Sequence, residues 1–425
     1  RMLGYDMRNL ILYSSILALL NPLQAKEPVT KKLPVAEPET LGMSSEELAK
    51  ISPAVEKLIK KNLLAGGSVL VMRKGHIVYQ NQFGFRNKAT KAPVKADTIF
   101  RIYSMTKAVT SAAAMRLNDQ GKIDLDAPIS KYLPEFENLT VWQAKGDPNP
   151  ANPAPTVRDL LRHTAGFSYG WSNHPVDQLY KKAKPLSKRK NLSEMITSVK
   201  DIPLLYQPGT RWVYGINSDV LGRVVEVASG EPLDEHLEKH FFKPLGMVDS
   251  GFYVPKDKAN RFSVCYGSKA GFLIPTDRII GSAYLERNKH LSGGGGLVST
   301  ITDYARFLQM IANGGDFQGK KYLSMKSINL MTTNQLPKEI EAISFGKEVR
   351  HGVGFGLGFC VRTDADKRWD ADAPKGEYGW GGAASTHYWV SPKHQLVVIT
   401  MEQTMPYNWN LEKTLKPIIY NAIKE

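Results

Sequence analysis

The chain has few cysteines: Cys265 and Cys360 are the two among 425 residues. Two thiols without metal-ligand spacing exclude a disulfide-built scaffold and a cysteine metal site; export leaves a single disulfide between them open, and two buried free thiols are the expected state. No cysteine follows the apolar N-terminal run, so a lipid-attachment site is absent there. That run, Leu10 to Leu20, is too short to span a bilayer comfortably. No internal repeat is visible. Acids are scarce: 41 Asp and Glu stand against 56 Lys and Arg, a net charge of +15. The bases are mostly dispersed. Their one dense stretch, 181–190, sits among prolines and polar residues and reads as a solvated loop. With no zinc-finger spacing and no aromatic-basic signature, nucleic acid is not an expected partner. Gly293 to Gly296 lacks the Lys-Ser/Thr that ends a phosphate loop, so it reads as a close-packed turn near a pocket.

What remains is an ordinary globular composition, 42% hydrophobic and 23% charged, which supports a large core or two sub-domains. Residues 1–25 read as an export signal: Met7-Arg8-Asn9 is a charged start, Asn21-Pro22 breaks the apolar run, and Ala25 offers a small residue for cleavage. Leu23 is larger than the small residue preferred there. The expectation is an exported, periplasmic protein with no stable membrane insertion after cleavage. Residues 26–42, rich in Pro, Lys and Glu, read as a linker, and 43–425 as the functional domain.

Ser44 or Ser45 caps an expected helix running to Lys61. Ser68–Met72 and His76–Gln80 flank Arg73-Lys74-Gly75 and read as a β-hairpin. A second hairpin, His387–Val390 with Leu396–Met401, lies near the other end and precedes a helix from Asn410 to Lys424. Apolar hairpins at both ends predict an α/β (α+β) fold: one antiparallel sheet built from both chain ends and flanked by helices. A mostly helical region, about 125–290, is then inserted between them. Within it, Thr156 with Asp159 forms a capping box for a helix ending near Gly166, and Asp219 to Ala228 forms another helix, ended by Gly230. Beyond it, Thr300 caps a helix that stops at Gly314-Gly315.

The most informative stretch is Ser104-Met105-Thr106-Lys107. It follows the apolar lead-in Ile99 to Tyr103 and opens a run of small residues, Ala108 to Met115, suited to a buried helix. A Ser and a Lys three apart on a helix share one face. A hydroxyl is a poor nucleophile until a base takes its proton, and a lysine in a dry site can be that base. The same spacing recurs at Ser187/Lys190, in the basic stretch, and at Ser344/Lys347, interrupted by Gly346. Neither has the helix start and apolar setting of Ser104.

Two further segments join it: Tyr214-Gly215-Ile216-Asn217 and Trp380-Gly381-Gly382-Ala383. Together the three resemble the signatures of the serine β-lactamase and penicillin-binding-protein superfamily, in its class C-like branch, and within that the family VIII carboxylesterases. Leu160 to Gly166 and Gly293 to Thr300 agree, and the resemblance covers roughly 45 to 420. It implies a serine β-lactamase-like fold with Ser104 as nucleophile and Lys107 helping to deprotonate it. Tyr214 is a second acid/base, and the backbone amides of Ser104 and Ala383 form the oxyanion hole. The choice between Lys107 and Tyr214 as base stays open at this level. Tyr103, Ile216, Asn217, Trp380, Gly381 and Gly382 are implied to touch substrate. His163 is expected to be structural, because Lys107 and Tyr214 already supply the proton transfers.

Two departures bear on substrate. Ile216 stands where β-lactamases of this branch carry Asn, and Trp380-Gly381-Gly382 stands for their Lys-Thr-Gly. The lost lysine normally attracts the substrate carboxylate, and losing a charge-assisted hydrogen bond costs about 1.5–3 kcal/mol, roughly ten- to a hundredfold in specificity. The expected activity is therefore hydrolysis of short-chain carboxylic esters, with weak β-lactam hydrolysis and no metal or organic cofactor. The alternatives are a β-lactamase or D-amino-acid peptidase on the same scaffold, and a catalytically silent cell-wall-binding or sensor protein. The sequence carries no signal of oligomeric state.

Overall fold

The computed structural model describes residues 32–364, 366 and 368–424. The expected export segment lies outside them. Among the described residues no helix is long and apolar enough to cross a membrane.

The main sheet is antiparallel and comes from both ends of the chain. Its strands are β1 (Gly66–Arg73), β2 (His76–Asn87), β3 (Ala92–Pro93), β4 (Val353–Phe355), β5 (Cys360–Arg362), β6 (Tyr378–Gly381), β7 (His387–Ser391) and β8 (Leu396–Glu402). They lie in the order β4-β5-β6-β7-β8-β1-β2-β3. The two foreseen hairpins meet where β1 pairs with β8, Val69 opposite Thr400 and Leu70 opposite Ile399. Every residue of β1 is buried, so both faces of the sheet are covered. Successive side chains point to opposite faces. Val69 and Val71 pack with α1 (Ile51–Lys60) and α6 (Asn410–Asn421). Leu70 and Met72 join the larger core, which includes α2 (Thr106–Asp119).

That core is organised around α2, where every residue from Thr106 to Met115 is buried. Ala108, Ala112, Ala113 and Ala114 keep it slim enough to be enclosed on all sides. Against it pack α4 (Asn217–Ser229) and the short helix α3 (Val157–Leu161) lies beyond, while α5 (Ile301–Ala312) reaches the sheet at β1 and β8.

Some details differ from expectation. The helix from Ser44 is two pieces, Ser45–Ala49 and Ile51–Lys60, because Pro53 has no amide to reach the Ala49 carbonyl. The capping box of Thr156 and Asp159 is present, but α3 stops at Leu161 and His163 already takes the left-handed conformation, φ +59°. Residues 32–42 are not a free tether: Val35 bridges to Ile77 and Leu33 is buried. The stretch 125–290 holds the helices Pro175–Ala183, Leu192–Val199 and Leu233–Leu237 as well as α3 and α4. It also holds an unexpected hairpin, Cys265–Lys269 with Phe272–Asp277, whose second strand alternates between exposed and half-buried residues. Both cysteines are free; Cys265 is buried and Cys360 half-buried.

Candidate active site

Ser104 sits on a tight turn, Tyr103–Met105, just before α2. Several contacts hold that turn. The lead-in Phe100–Arg101 pairs with Val298–Ser299. The buried Arg101 guanidinium reaches Asp277 Oδ2 at 2.7 Å and the Ser263 carbonyl at 2.6 Å. Tyr304 donates its hydroxyl to the Met105 carbonyl at 2.9 Å. Tyr103 has φ +40°, a conformation costly for a non-glycine residue and kept only when the surroundings enforce it.

Lys107 points back along α2 and is buried. Its Nζ lies 3.3 Å from Ser104 Oγ, 3.0 Å from the Tyr169 hydroxyl and 2.6 Å from the Gly294 carbonyl. The glycine turn is close-packed, as its composition predicts. A Cβ on Gly293 would fall 2.5 Å from the Ser218 carbonyl, and one on Gly294 2.5 Å from Asp219 Oδ2. Asp219 Oδ1 holds this turn, accepting from Ser292 Oγ at 2.5 Å and from the Gly294 amide at 3.1 Å. The Lys107 acceptor is thus fixed by a buried carboxylate on α4.

Tyr214 comes from the loop before α4. Gly215 lets that loop cross Phe167, whose carbonyl is 2.1 Å from where a Cβ would be. The Tyr214 hydroxyl accepts from the Trp380 indole N–H at 3.2 Å, and its ring centroid is 4.6 Å from Lys107 Nζ. Ser104, Tyr214, Trp380 and Ala383 line one cavity of about 350 Å³. Gly382 makes this possible: a Cβ there would sit 2.3 Å from the Ile102 carbonyl, so the end of β6 docks directly on the Ser104 turn.

The structure brings Ser104, Lys107, Tyr214, Trp380, Gly381, Gly382 and Ala383 together. It does not bring Ile216 or Asn217 to the cavity, and this corrects the reading of both as substrate contacts. The chain turns inward at Ile216 to begin α4, burying both side chains. Asn217 Nδ2 meets His163 Nδ1 at 3.0 Å and the Val213 carbonyl at 3.2 Å, so it braces the tyrosine loop. Tyr103 is not on the cavity wall either; its ring stands edge-on to Tyr284 at 6.4 Å. His163 is buried among Trp212, Tyr214 and Phe355, and burial, then the Lys107 charge, holds it well below its ordinary value. It is a neutral bracing group.

Three residues of the site went unread in the sequence. Tyr169, the Lys107 partner, follows the Leu160–Gly166 segment but no spacing marks it; burial, then Asp219 and Tyr214, push its phenol well up. Asp219 carries in sequence the signal of a helix start alone. Arg350 precedes β4 near the discarded Ser344/Lys347 pair, and its guanidinium carbon stands 5.7 Å from the Trp380 ring centroid. The cavity therefore does hold a cation beside Trp380. Cys360 also lines it, and burial pushes its thiol up to about 12, which disqualifies it as a nucleophile. Among the described residues, Glu231, His236 and His240 have donor atoms within 4.8 Å of one another, but none of them lines this cavity.

The Beta-lactamase family profile matches residues 51–417. The chain belongs to that family. An uncharacterized protein of Mycobacterium tuberculosis is 33% identical over 361 residues, covering 83% of this chain and 89% of its own. Esterase EstB of Burkholderia gladioli is 28% identical over 390 residues, 87% of this chain and 93% of that one. Among solved structures, EstCE1, described as a hydrolase with promiscuous acyltransferase activity, superposes with a TM-score of 0.75 at 25% identity, covering 88% of this chain and 99% of that one. The fold is thus the mixed α/β fold of the serine β-lactamase-like hydrolases, as the motifs imply.

Proposed function

We propose that this protein is a serine carboxylesterase that cleaves short-chain esters through an acyl-enzyme on Ser104. The observation that carries the reading is the Lys107 Nζ to Ser104 Oγ contact of 3.3 Å inside a cavity walled by Trp380 and Tyr214. The Gly294 carbonyl and the Tyr169 hydroxyl hold Lys107 Nζ beside Ser104 Oγ. A base must stand close to the proton it takes, and this placement meets that need. Ser104 Oγ attacks the ester carbonyl carbon as Lys107 takes the proton. The carbonyl oxygen gathers negative charge opposite the amides of Ser104 and Ala383, and such donors are worth roughly 3 kcal/mol each when preorganised. The tetrahedral centre collapses, the C–O bond to the alcohol breaks, and the departing oxygen takes a proton. Tyr214 gives that proton: its oxygen already accepts from Trp380, so its own O–H points to the leaving group. Water then attacks the acyl carbon and gives a proton to the Tyr214 phenolate; the C–O bond to Ser104 breaks, Lys107 returns its proton to Ser104 Oγ, and the carboxylic acid leaves.

The likeness to esterase EstB and to the hydrolase EstCE1 supports ester chemistry. The sequence of residues 7–25 supports export, with the mature protein in the periplasm. A second reading, a β-lactamase or D-amino-acid peptidase, is favoured by one observation: Arg350 restores a cation near the position of the missing lysine. The test compares kcat/KM for p-nitrophenyl butyrate and for nitrocefin on one preparation. The butyrate is expected to be the better substrate; a reversed order replaces the esterase with the second reading.

A further inference from the structure

Arg350 occupies an aromatic box at the end of the cavity. Its guanidinium carbon stands 4.5 Å from the Phe345 ring centroid, 4.9 Å from Trp409 and 5.0 Å from Trp369, as well as 5.7 Å from Trp380. Four rings hold the planar cation in place without consuming its donors, since cation–π attraction acts on the face and leaves the N–H edge free. Its Nε donates to Glu348 Oε1 at 3.2 Å, on a largely exposed side chain. Among the described residues its two terminal nitrogens have no hydrogen-bond partner.

The other cations of the cavity are engaged by carboxylates or backbone carbonyls. Lys416 Nζ meets Asp370 Oδ2 at 2.5 Å, Glu377 Oε1 at 2.8 Å and Glu412 Oε1 at 3.3 Å. His387 Nε2 meets Glu412 Oε1 at 3.0 Å. Arg362 donates to the backbone carbonyls of His351 and Asp366. Among the described residues, Arg350 is the cavity cation whose two terminal nitrogens are both uncommitted, while single buried donors, Arg362 Nε and Trp389 Nε1, also lack a partner.

Its place relative to the chemistry is defined by a chain of contacts. Arg350 stacks on Trp380, Trp380 donates to Tyr214, and Tyr214 is the proposed proton donor to the leaving oxygen. We propose that Arg350 forms a carboxylate subsite on the leaving-group side, so that the preferred substrates are esters whose alcohol is a hydroxy acid. This rests on Ser104 ester hydrolysis and goes beyond it. A guanidinium recognises a carboxylate through two parallel N–H bonds, and the apolar walls exclude the water that would compete.

The test uses two esters of matched shape, 4-(butyryloxy)benzoate and 4-(butyryloxy)benzamide, with p-nitrophenyl hemiglutarate carrying its charge on the acyl side. The unmodified protein should favour the benzoate over the benzamide by about ten- to a hundredfold in kcat/KM, mostly through KM, with the preference shrinking as salt is raised. The hemiglutarate should gain nothing over p-nitrophenyl butyrate. Arg350→Ala should bring the benzoate/benzamide ratio near one, Arg350→Lys should keep part of it, and Arg350→Glu should transfer the preference to 4-(butyryloxy)benzylamine. A ratio at or below one in the unmodified protein overturns the subsite, whatever the variants do. A gain confined to the hemiglutarate overturns its placement on the leaving-group side. If Ser104→Ala still hydrolyses these esters, or the unmodified protein hydrolyses none, the underlying esterase reading has failed instead.

Discussion

Trp380 and Tyr214 lie 166 residues apart in sequence, and the indole N–H of the first donates to the hydroxyl of the second at 3.2 Å. The side chain that replaces the superfamily's lysine is therefore not only a wall. It orients the phenol proposed above to serve the leaving group. Trp380→Phe keeps the wall and removes the donor. Its kcat should fall roughly fivefold, the worth of one neutral hydrogen bond of about 1 kcal/mol, with little change in KM. A changed KM at unaltered kcat would assign Trp380 to binding alone.

Asp219 is linked to Lys107 through Gly294. Its carboxylate fixes the turn whose carbonyl accepts from Lys107. Asp219→Ala orphans the Gly294 amide and the Ser292 hydroxyl in a dry setting. It should lower kcat by roughly ten- to a hundredfold, since about 1–3 kcal/mol is lost for a buried donor left unpaired. Asp219→Asn retains an acceptor and should recover most of the rate. Equal loss in both variants, with an unchanged circular dichroism spectrum, would point to the negative charge rather than to positioning.

Glu402, at the end of β8, is buried, and burial pushes its carboxyl from the ordinary 4.5 up to about 8, against a small opposing pull from the Thr404 hydroxyl. Between those values the folded protein holds a proton that the unfolded chain has released. Stability contributed by the neutral acid is complete below the unfolded value and is lost as pH rises through the folded one. Glu402→Gln removes this dependence. Its melting temperature should match that of the unmodified protein near about pH 4 and exceed it increasingly up to about pH 9. Parallel curves across that range would mean that Glu402 titrates in the folded protein as it does in the unfolded chain.

The sheet was legible because its strands are encoded locally. Val69-Leu70-Val71 and Val397-Val398-Ile399 are apolar runs next to strong turns, and pairing the two hairpins follows once both need a neighbour. The Ser104, Lys107 and Tyr214 constellation was legible because helix spacing and short motifs name its members. What escaped reading depends on directions that no local pattern carries. Ile216 and Asn217 adjoin Tyr214 in sequence, yet the start of α4 turns them into the core. Tyr169 and Arg350 reach the site through loops, and Asp219 from the first turn of α4, along courses set by tertiary packing. Pro53 was visible throughout, and its missing amide was enough to divide the first helix.

The central claim is that an acyl group passes through Ser104 with Lys107 as base and Tyr214 as acid. It is tested most directly by acid-quenching the protein within its first turnovers of p-nitrophenyl butyrate and sequencing its peptides by mass spectrometry. The account predicts a butyryl group on Ser104. It also predicts more of that adduct relative to turnover when deacylation is slowed, none in Ser104→Ala, and strongly slowed formation in Lys107→Ala and Tyr214→Phe. Butyryl on Ser187 or Ser344, or steady ester hydrolysis with Ser104 never acylated, would contradict it.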